Sequence, residues 1–173
     1  MTAKNILVTG PPRSGKSTLI EKVVRRIDKP VTGFFTRELK ERGRRVGFSI
    51  TTMDGRTGIL AHYRTRSKFR VGRYGVSLQD LDQIAVPSMR PSRADEIVVI
   101  DEIGKMECFS FLFRETLIAS LSSQHQVIGS IAIKGNTFIE RIKKREDVLL
   151  IPISETTREA ALDLFLEAVR RYD

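Results

Sequence analysis

The order of apolar segments along this chain of 173 residues predicts an α/β fold, a mostly parallel sheet covered by helices. Three observations carry that prediction. Short β-branched runs alternate with longer stretches whose apolar residues recur at helical spacing. Ile97 to Ile100 is apolar at every position, as a strand covered on both faces must be. Residues 31–61 instead read as strands joined by a charged turn, an antiparallel hairpin elaboration inside the parallel pattern. The length suits a single domain, 1–173.

Each element has a local reason. Ile6 to Thr9 is a short apolar run entering a glycine-rich turn, hence a buried strand. Residues 16–27 place Leu19, Ile20, Val23, Val24 and Ile27 on one helical face, and Pro30 sets the end of that helix. Strands are expected at 31–36, 46–52 and 58–61, with RELKERGRR between the first two as an exposed hairpin tip around Gly43. Residues 62–75 alternate basic and small side chains and read as an irregular loop. A short helix over 77–85 begins at Ser77, which caps toward Asp80. After the 97–100 strand the pattern gives a helix over 109–122, a strand over 127–131, a helix over 136–145 and a strand over 148–153. Phe109, Phe111 and Phe113 cannot share one helix face, so one of them marks the strand-to-helix turn. The last helix, 157–171, is amphipathic, with Thr156 as cap and Glu159 completing a capping box.

Charge is distributed unevenly. Lys and Arg number 30 against 21 Asp and Glu, a net charge of +9, and residues 37–73 alone hold 11 basic and 3 acidic residues, a net +8. Three readings of that segment compete: a solvated hairpin and loop, an electrostatic funnel for a polyphosphate, and a nucleic-acid surface with Phe69 and Tyr74 as stacking groups. No run of 18 apolar residues exists, so no membrane-spanning helix is expected, and the N-terminus lacks a signal-peptide pattern. The single cysteine, Cys108, cannot form an internal disulfide and reads as an apolar filler, which favours a reducing, cytoplasmic location. His62 and His125 read as surface residues, too far apart in sequence from each other and from Cys108 for a transition-metal cluster.

Two motifs carry chemistry. Gly10-Pro11-Pro12-Arg13-Ser14-Gly15-Lys16-Ser17 matches G-x-x-x-x-G-K-[ST], placed between a strand and a helix. Such a loop turns backbone N–H groups onto phosphate oxygens, and the following helix aims its positive N-terminal end at the same anion. Pro11 and Pro12 have no N–H, so the donors are expected from Arg13, Ser14, Gly15, Lys16 and Ser17, with Thr18 next in the helix. Lys16 supplies a point charge for the β and γ phosphates, and the Ser17 hydroxyl suits one Mg²⁺ coordination position. The second motif is the strand end Ile100-Asp101-Glu102. A carboxylate at the C-terminal end of a strand in an open sheet can hold Mg²⁺, the role given to Asp101. Glu102 is placed to take a proton from an attacking water. Lys105, Arg13, Arg37 and Arg73 are candidates to offset charge on the transferring phosphoryl group, Lys105 first. Ser130 is a weaker candidate to sense the γ-phosphate, and Arg158 to lie against base or ribose.

Asp101-Glu-Ile-Gly-Lys-Met-Glu107 resembles the signature of the thermophile-type P-loop nucleoside-triphosphatases, whose animal members are called cancer-related nucleoside triphosphatases. Gly33-Phe-Phe-Thr36 with Glu38, the return GRRVGF from Gly43 to Phe48, Val71-Gly72-Arg-Tyr74 and Ala85-Val-Pro87 are similar to further landmarks of that family, from Gly10 to the last helix. The resemblance implies a RecA-like core and Mg²⁺-dependent hydrolysis of nucleoside triphosphates with little base preference. It maps the triphosphate loop onto Gly10 to Ser17, the metal-side acid onto Asp101, the general base onto Glu102 and the lysine near the γ-phosphate onto Lys105. Arg37 stands where members often carry an acid, Cys108 where Leu is usual, and Thr157-Arg158 in place of Asn-Arg. A monomer acting on a nucleoside triphosphate, with no membrane partner and nucleic acid as a less favoured partner, is the expectation. A small-molecule or nucleotide kinase, with 62–73 as an arginine-bearing lid, and a nucleic-acid-binding ATPase module are the rival readings.

Overall fold

The computed structural model describes residues 3–172, and every strand in it belongs to one sheet. The elements in chain order are β1 (Asn5–Gly10), α1 (Lys16–Val24), β2 (Val31–Glu41), β3 (Arg44–Thr52), β4 (Thr57–His62), β5 (Arg70–Val71), β6 (Tyr74–Val76), α2 (Leu78–Asp80), α3 (Val86–Ser88), β7 (Ile97–Ile103), α4 (Phe111–Ser122), β8 (Val127–Ala132), α5 (Thr137–Lys143), β9 (Val148–Pro152) and α6 (Arg158–Arg170). A π-helical turn, Leu81–Ala85, joins α2 to α3, and a 3₁₀ turn, Glu107–Phe109, precedes α4.

The strand order is β5-β6-β4-β3-β2-β7-β8-β1-β9. From β2 to β9 all neighbours are parallel, and from β2 to β5 all are antiparallel. Two cores cover the parallel part, and alternate residues of each strand serve one or the other. Leu7, Val98, Ile100, Val127 and Ile131 pack with Phe113, Leu117 and Ile139 on one face. Ile6, Val8, Ile97, Val99 and Ile128 pack with Leu19, Ile20, Phe165 and Leu166 on the other. Strands buried on both sides explain why 97–100 shows no polar alternation.

The local expectations hold with informative exceptions. Ser77 accepts from the Asp80 N–H and starts α2, and Ser110 accepts from the Phe113 N–H and starts α4. Phe109 is the phenylalanine left in the turn, so α4 begins later than residue 109. Helix α1 stops at Val24 rather than Ile27, well before Pro30, and continues only as a turn in which the Arg26 and Ile27 N–H groups bond to the Val23 carbonyl. The charged stretch RELKERGRR is not a loop: β2 runs to Glu41 and β3 starts at Arg44, so only Arg42 (φ 48°) and Gly43 (φ 76°) turn the chain. A two-residue turn with both central φ values positive matches the twist of the flanking strands, and it extends the pairing by several residues on each side. The 62–75 stretch contains β5 and the start of β6 instead of loop alone. Helix α6 takes Thr157, not Thr156, as its cap residue, and no capping box forms: the Thr157 hydroxyl accepts from the Ser154 N–H at 2.9 Å.

Candidate active site

The chemistry gathers at the C-terminal ends of the parallel strands. β1 ends at Gly10 and the chain turns through Pro11 to Ser14 into α1, with the Ser14 N–H donating to the Pro11 carbonyl at 3.2 Å. That bond removes Ser14 from the set of amides free to meet an anion, a correction to the five donors expected from sequence. Arg13 (φ 63°) and Gly15 (φ 93°) are both left-handed, which turns the remaining N–H groups to one side of the loop. A side chain at Gly15 would also meet Arg158, whose Cδ and Nε would be 3.2 Å from an added Cβ. Arg158, the first residue of α6, therefore lies across the loop. Lys16 Nζ donates to the carbonyls of Gly10 (2.9 Å) and Pro11 (3.3 Å), which holds the ammonium over the same turn.

The carboxylates come from β7, two strands away from β1. Asp101 is fully buried. Its Oδ1 accepts from the Ser130 hydroxyl on β8, the Ser17 hydroxyl is near enough to lower the carboxyl's proton affinity, and Oδ2 has no hydrogen-bond partner. Burial pushes the Asp101 carboxyl up to about 6 against the opposing effect of those two hydroxyls. Ser130 is thus committed to orienting Asp101 rather than to sensing a γ-phosphate. An orphaned buried carboxylate oxygen next to a serine hydroxyl is a hard-oxygen donor pair that fits Mg²⁺.

The strand pairing shifts register between Ile100 and Ile103, and Glu102 leaves the regular ladder there. Glu102 is half-buried, and burial raises its carboxyl above the usual range while the Lys16 charge pulls it back. Glu107, five residues on, is buried as well, and its Oε2 accepts from the Gly104 N–H at 3.1 Å. Burial, the Glu102 charge and the Asp101 charge hold Glu107 well above the carboxylate range. Gly104 lets the two glutamates meet: an added Cβ would be 2.9 Å from Glu102 Oε1 and 3.0 Å from Glu107 Oε2.

A cavity of about 750 Å³ opens over these groups. Arg13, Gly15, Lys16, Ser17, Thr18 and Arg158 line one side, and Glu102, Lys105 and Glu107 line the middle. Thr36, Phe48, Leu60, Val71 and Met106 line the far side. Lys134, after β8, also reaches it. A smaller hollow of about 70 Å³ lies behind Gly15, between Thr18, Leu19, Arg158 and Leu162.

The NTPase family model matches residues 5–165 of this chain. The chain belongs to the NTPase family. It is similar to the nucleoside-triphosphatase THEP1 of Thermotoga sp. strain RQ2, 41% identical over 166 residues that cover 95% of each chain. Similarity extends to the human cancer-related nucleoside-triphosphatase, at 36% identity over 92% of this chain and 93% of that one. The crystal structure of THEP1 from the hyperthermophile Aquifex aeolicus superposes with a TM-score of 0.86, at 32% identity, over 96% of this chain and 99% of that one. The solution structure of the human protein gives a TM-score of 0.83, so the P-loop NTPase fold expected from the motifs stands.

Several of the residues expected from sequence gather at one cavity in this NTPase chain. Lys16, Ser17, Glu102, Lys105 and Arg158 all line one cavity, and Asp101 touches Ser17 beneath it. Pro11 and Pro12 are exposed at the tip of the loop and do not line the cavity. Among the alternative cations, Arg37 lines the cavity but is paired to Glu21 at 2.6 Å. Arg73 is elsewhere, stacked on Tyr63 and Tyr74. Of the basic residues in 37–73, Arg37 alone lines the cavity, so a funnel for a polyphosphate has little of that charge at the site itself. Two more arginines of that segment lie over rings, Arg64 on Tyr63 and Arg45 between Tyr74 and Phe48. Cys108 is buried and inert, its thiol pushed up to about 12 by burial. Sequence reasoning missed Glu107 as a site residue. The signal was the last residue of EIGKME, which a 3₁₀ turn folds back beside Glu102.

Among the described residues no helix is long and apolar enough to cross a membrane.

Proposed function

We propose that this chain hydrolyses the β–γ anhydride of nucleoside 5′-triphosphates, with Mg²⁺ and with broad base specificity. The observation that carries the reading is the convergence on one cavity of Lys16 and Ser17, at the start of the helix that follows β1, and Glu102 of β7, with Asp101 buried beneath them, beside a left-handed anion-binding loop. The names of the relatives, nucleoside-triphosphatases, support the same reaction. Amides of the loop and Lys16 bind the β and γ phosphates. Ser17 and Asp101 would hold Mg²⁺, which supplies charge compensation to the triphosphate when bound. Glu102 orients the attacking water and takes its proton. Lys105 is exposed on the cavity and offsets charge at the γ-phosphoryl group. Gly104 and Glu107 keep Glu102 in place.

Base tolerance follows from the hollow behind Gly15. Leu19 and Leu162 offer a base its face contacts, and Arg158 crosses the loop toward the ribose. Apolar walls of this kind discriminate weakly between rings. A monomer is consistent with the sheet edges: β5 has two residues, and β9 ends in Pro152, so neither edge is a long template for pairing.

A phosphate-release assay over ATP, GTP, CTP and UTP, with Mg²⁺ and with chelator, tests this reading. All four should be hydrolysed at rates within about tenfold of one another, and chelation should stop the reaction. No phosphate release from any Mg²⁺–nucleotide would overturn it.

A further inference from the structure

Residues 38–45 and 62–75 hold nine Lys and Arg against two Glu, which leaves a net of only +2 for the rest of the chain. None of these nine lines the cavity. The fold brings the two segments together at the antiparallel end of the sheet. Lys40 of β2 pairs with Arg45 of β3. The Tyr63 N–H donates to the Val46 carbonyl at 3.0 Å, so the end of β4 lies alongside β3. His62 of β4 pairs with Gly75 of β6, and Arg70 of β5 pairs with the same glycine. Lys40, Arg45, Arg64, Arg73 and Arg70 therefore follow one another across five neighbouring strands or their ends.

Three of these guanidinium groups are held on rings. Arg45 lies over Tyr74 (5.5 Å) and Phe48 (5.2 Å), and its Nε donates to the Tyr74 hydroxyl at 3.1 Å. Arg73 lies over Tyr74 (5.2 Å) and Tyr63 (5.8 Å) and donates to the Arg45 carbonyl. Arg64 lies over Tyr63 at 5.1 Å and donates to its hydroxyl at 2.7 Å. All three remain exposed, and cations already fixed in place lose little freedom when an anion arrives. The rings themselves are not open to a base: Tyr74 is buried and Phe69 packs on Phe109 at 5.4 Å, a correction to their expected role as stacking groups. Glu38 pairs with Arg45 at 3.2 Å and Lys40 at 3.8 Å, and Glu41 with Arg64 at 3.9 Å. Arg42, Arg44, Arg66, Lys68, Arg70 and Arg73 have no carboxylate partner among the described residues. Charge on an edge strand guards against unwanted pairing, which accounts for Arg70 on β5. It does not account for Arg45 and Lys40, three and four strands further in.

We propose that this antiparallel wing binds a polynucleotide through its phosphate backbone, without reading the bases. The row of cations crosses four strand intervals, roughly 19 Å at about 4.8 Å each. One strand of nucleic acid carries a phosphate about every 3.4 Å, so roughly five phosphates span the row. A mononucleotide is too short to do so. Seven of the nine cations are Arg, whose planar fork meets phosphate oxygens in pairs. Glu38 and Phe48 touch both the row and the cavity, so the polynucleotide lies beside the triphosphate site and does not share it. Its binding is independent of the reaction in that cavity.

Fluorescence anisotropy with the full chain tests this, using labelled oligothymidylate, oligouridylate and a DNA duplex of equal length. At least one should bind with a dissociation constant of roughly 10⁻⁴–10⁻⁶ M, and the logarithm of its affinity should fall with the logarithm of salt concentration at a slope of about −3 or steeper. Arg64→Gln with Arg73→Gln should weaken that binding about tenfold and make the slope shallower by roughly 1. Lys40→Gln with Arg70→Gln, on other strands, should do the same, so one folding failure does not decide the matter. Urea midpoints of both pairs should match the parent. Arg25→Gln with Arg26→Gln removes equal charge from exposed positions after α1 and should leave binding within about twofold. No binding of any probe at about 50 mM salt overturns the surface, as does equal weakening by the Arg25 and Arg26 pair. Phosphatidylserine vesicles and polyglutamate are the competing polyanions. Either one binding more tightly than every oligonucleotide, and weakened by the same substitutions, overturns the polynucleotide as partner.

Discussion

The two ends of one parallel sheet treat buried polar groups in opposite ways. At the N-terminal end, Lys4 and Asn5 lead into β1 and are both buried. Lys4 Nζ donates to the carbonyls of Leu121 and Ser123, where α4 ends. Asn5 Nδ2 donates to the Leu121 carbonyl at 3.0 Å, and its Oδ1 accepts from the Val127 N–H at 3.1 Å. The Lys4 and Asn5 side chains both find partners here, with only the Oε1 of the adjoining Gln126 left without one, and their work is to terminate a helix against a strand. At the C-terminal end Asp101 is buried as deeply, yet Oδ2 has no partner, and neither have the hydroxyls of Thr9 and Ser14. Glu107 sits beside Glu102, and burial together with the Glu102 charge raises its proton affinity. An open network costs stability that a closed one would not. The difference lies in the carboxylates: Asp101 with an unpartnered oxygen and Glu107 crowded against Glu102 stand where the proposed Mg²⁺ and triphosphate would complete the set.

The comparison can be broken at either end. The largest effect is expected from Lys16→Ala at the open end, which should cost roughly 2–5 kcal/mol of nucleotide binding, measured by calorimetric titration with a non-hydrolysable triphosphate. Glu102→Gln should leave that binding in place and cut turnover by at least about 100-fold. Normal turnover in this variant would remove Glu102 from the role of base. Lys4→Ala strikes the closed end. It should lower unfolding free energy by roughly 1–3 kcal/mol in urea titrations, with KM for the nucleotide unchanged.

The smallest and most diagnostic change is Glu107→Gln. Burial raises the folded pKa of Glu107 well above the ordinary glutamate value of 4.5, so the folded state holds the proton more tightly than the unfolded chain. The stability tied to that proton is complete below about pH 4.5 and is lost as pH rises through the folded pKa. Gln cannot ionise and keeps an acceptor for the Gly104 N–H. The variant's Tm should therefore exceed that of the parent at about pH 8, with the gap closing toward about pH 4.5. A gap of the opposite sign would mean that Glu107 is charged and paired in the fold.

How much of this was legible depended on sequence distance. The phosphate loop was readable because Gly10 to Ser17 are contiguous, and a turn between strand and helix leaves few ways to arrange them. Asp101-Glu102 was readable because an apolar run ending in acids states where a strand leaves the core. Glu107 was hidden because its burial depends on a 3₁₀ turn whose residues carry no periodic pattern. Ser130 was misread because its partner, Asp101, is on the neighbouring strand rather than nearby in the chain. RELKERGRR was misread because charge density signals solvent exposure but not pairing: long polar side chains tolerate both faces of an antiparallel extension.

The chain by itself determined the alternation of strands and helices, the anion-binding loop and the two acids at a strand end, because each rests on spacing within a few residues. Tertiary structure decided the rest. The strand order sets β8 between β1 and β7, which lets Ser17 of α1 and Ser130 of β8 converge on Asp101. It also carries β2, β3 and β4 past the carboxylates, so Phe48 and Leu60 face the same cavity as Lys16. Those juxtapositions join residues tens of positions apart. They follow from hydrogen-bonded pairing and two-sided burial of the sheet, which no local pattern encodes.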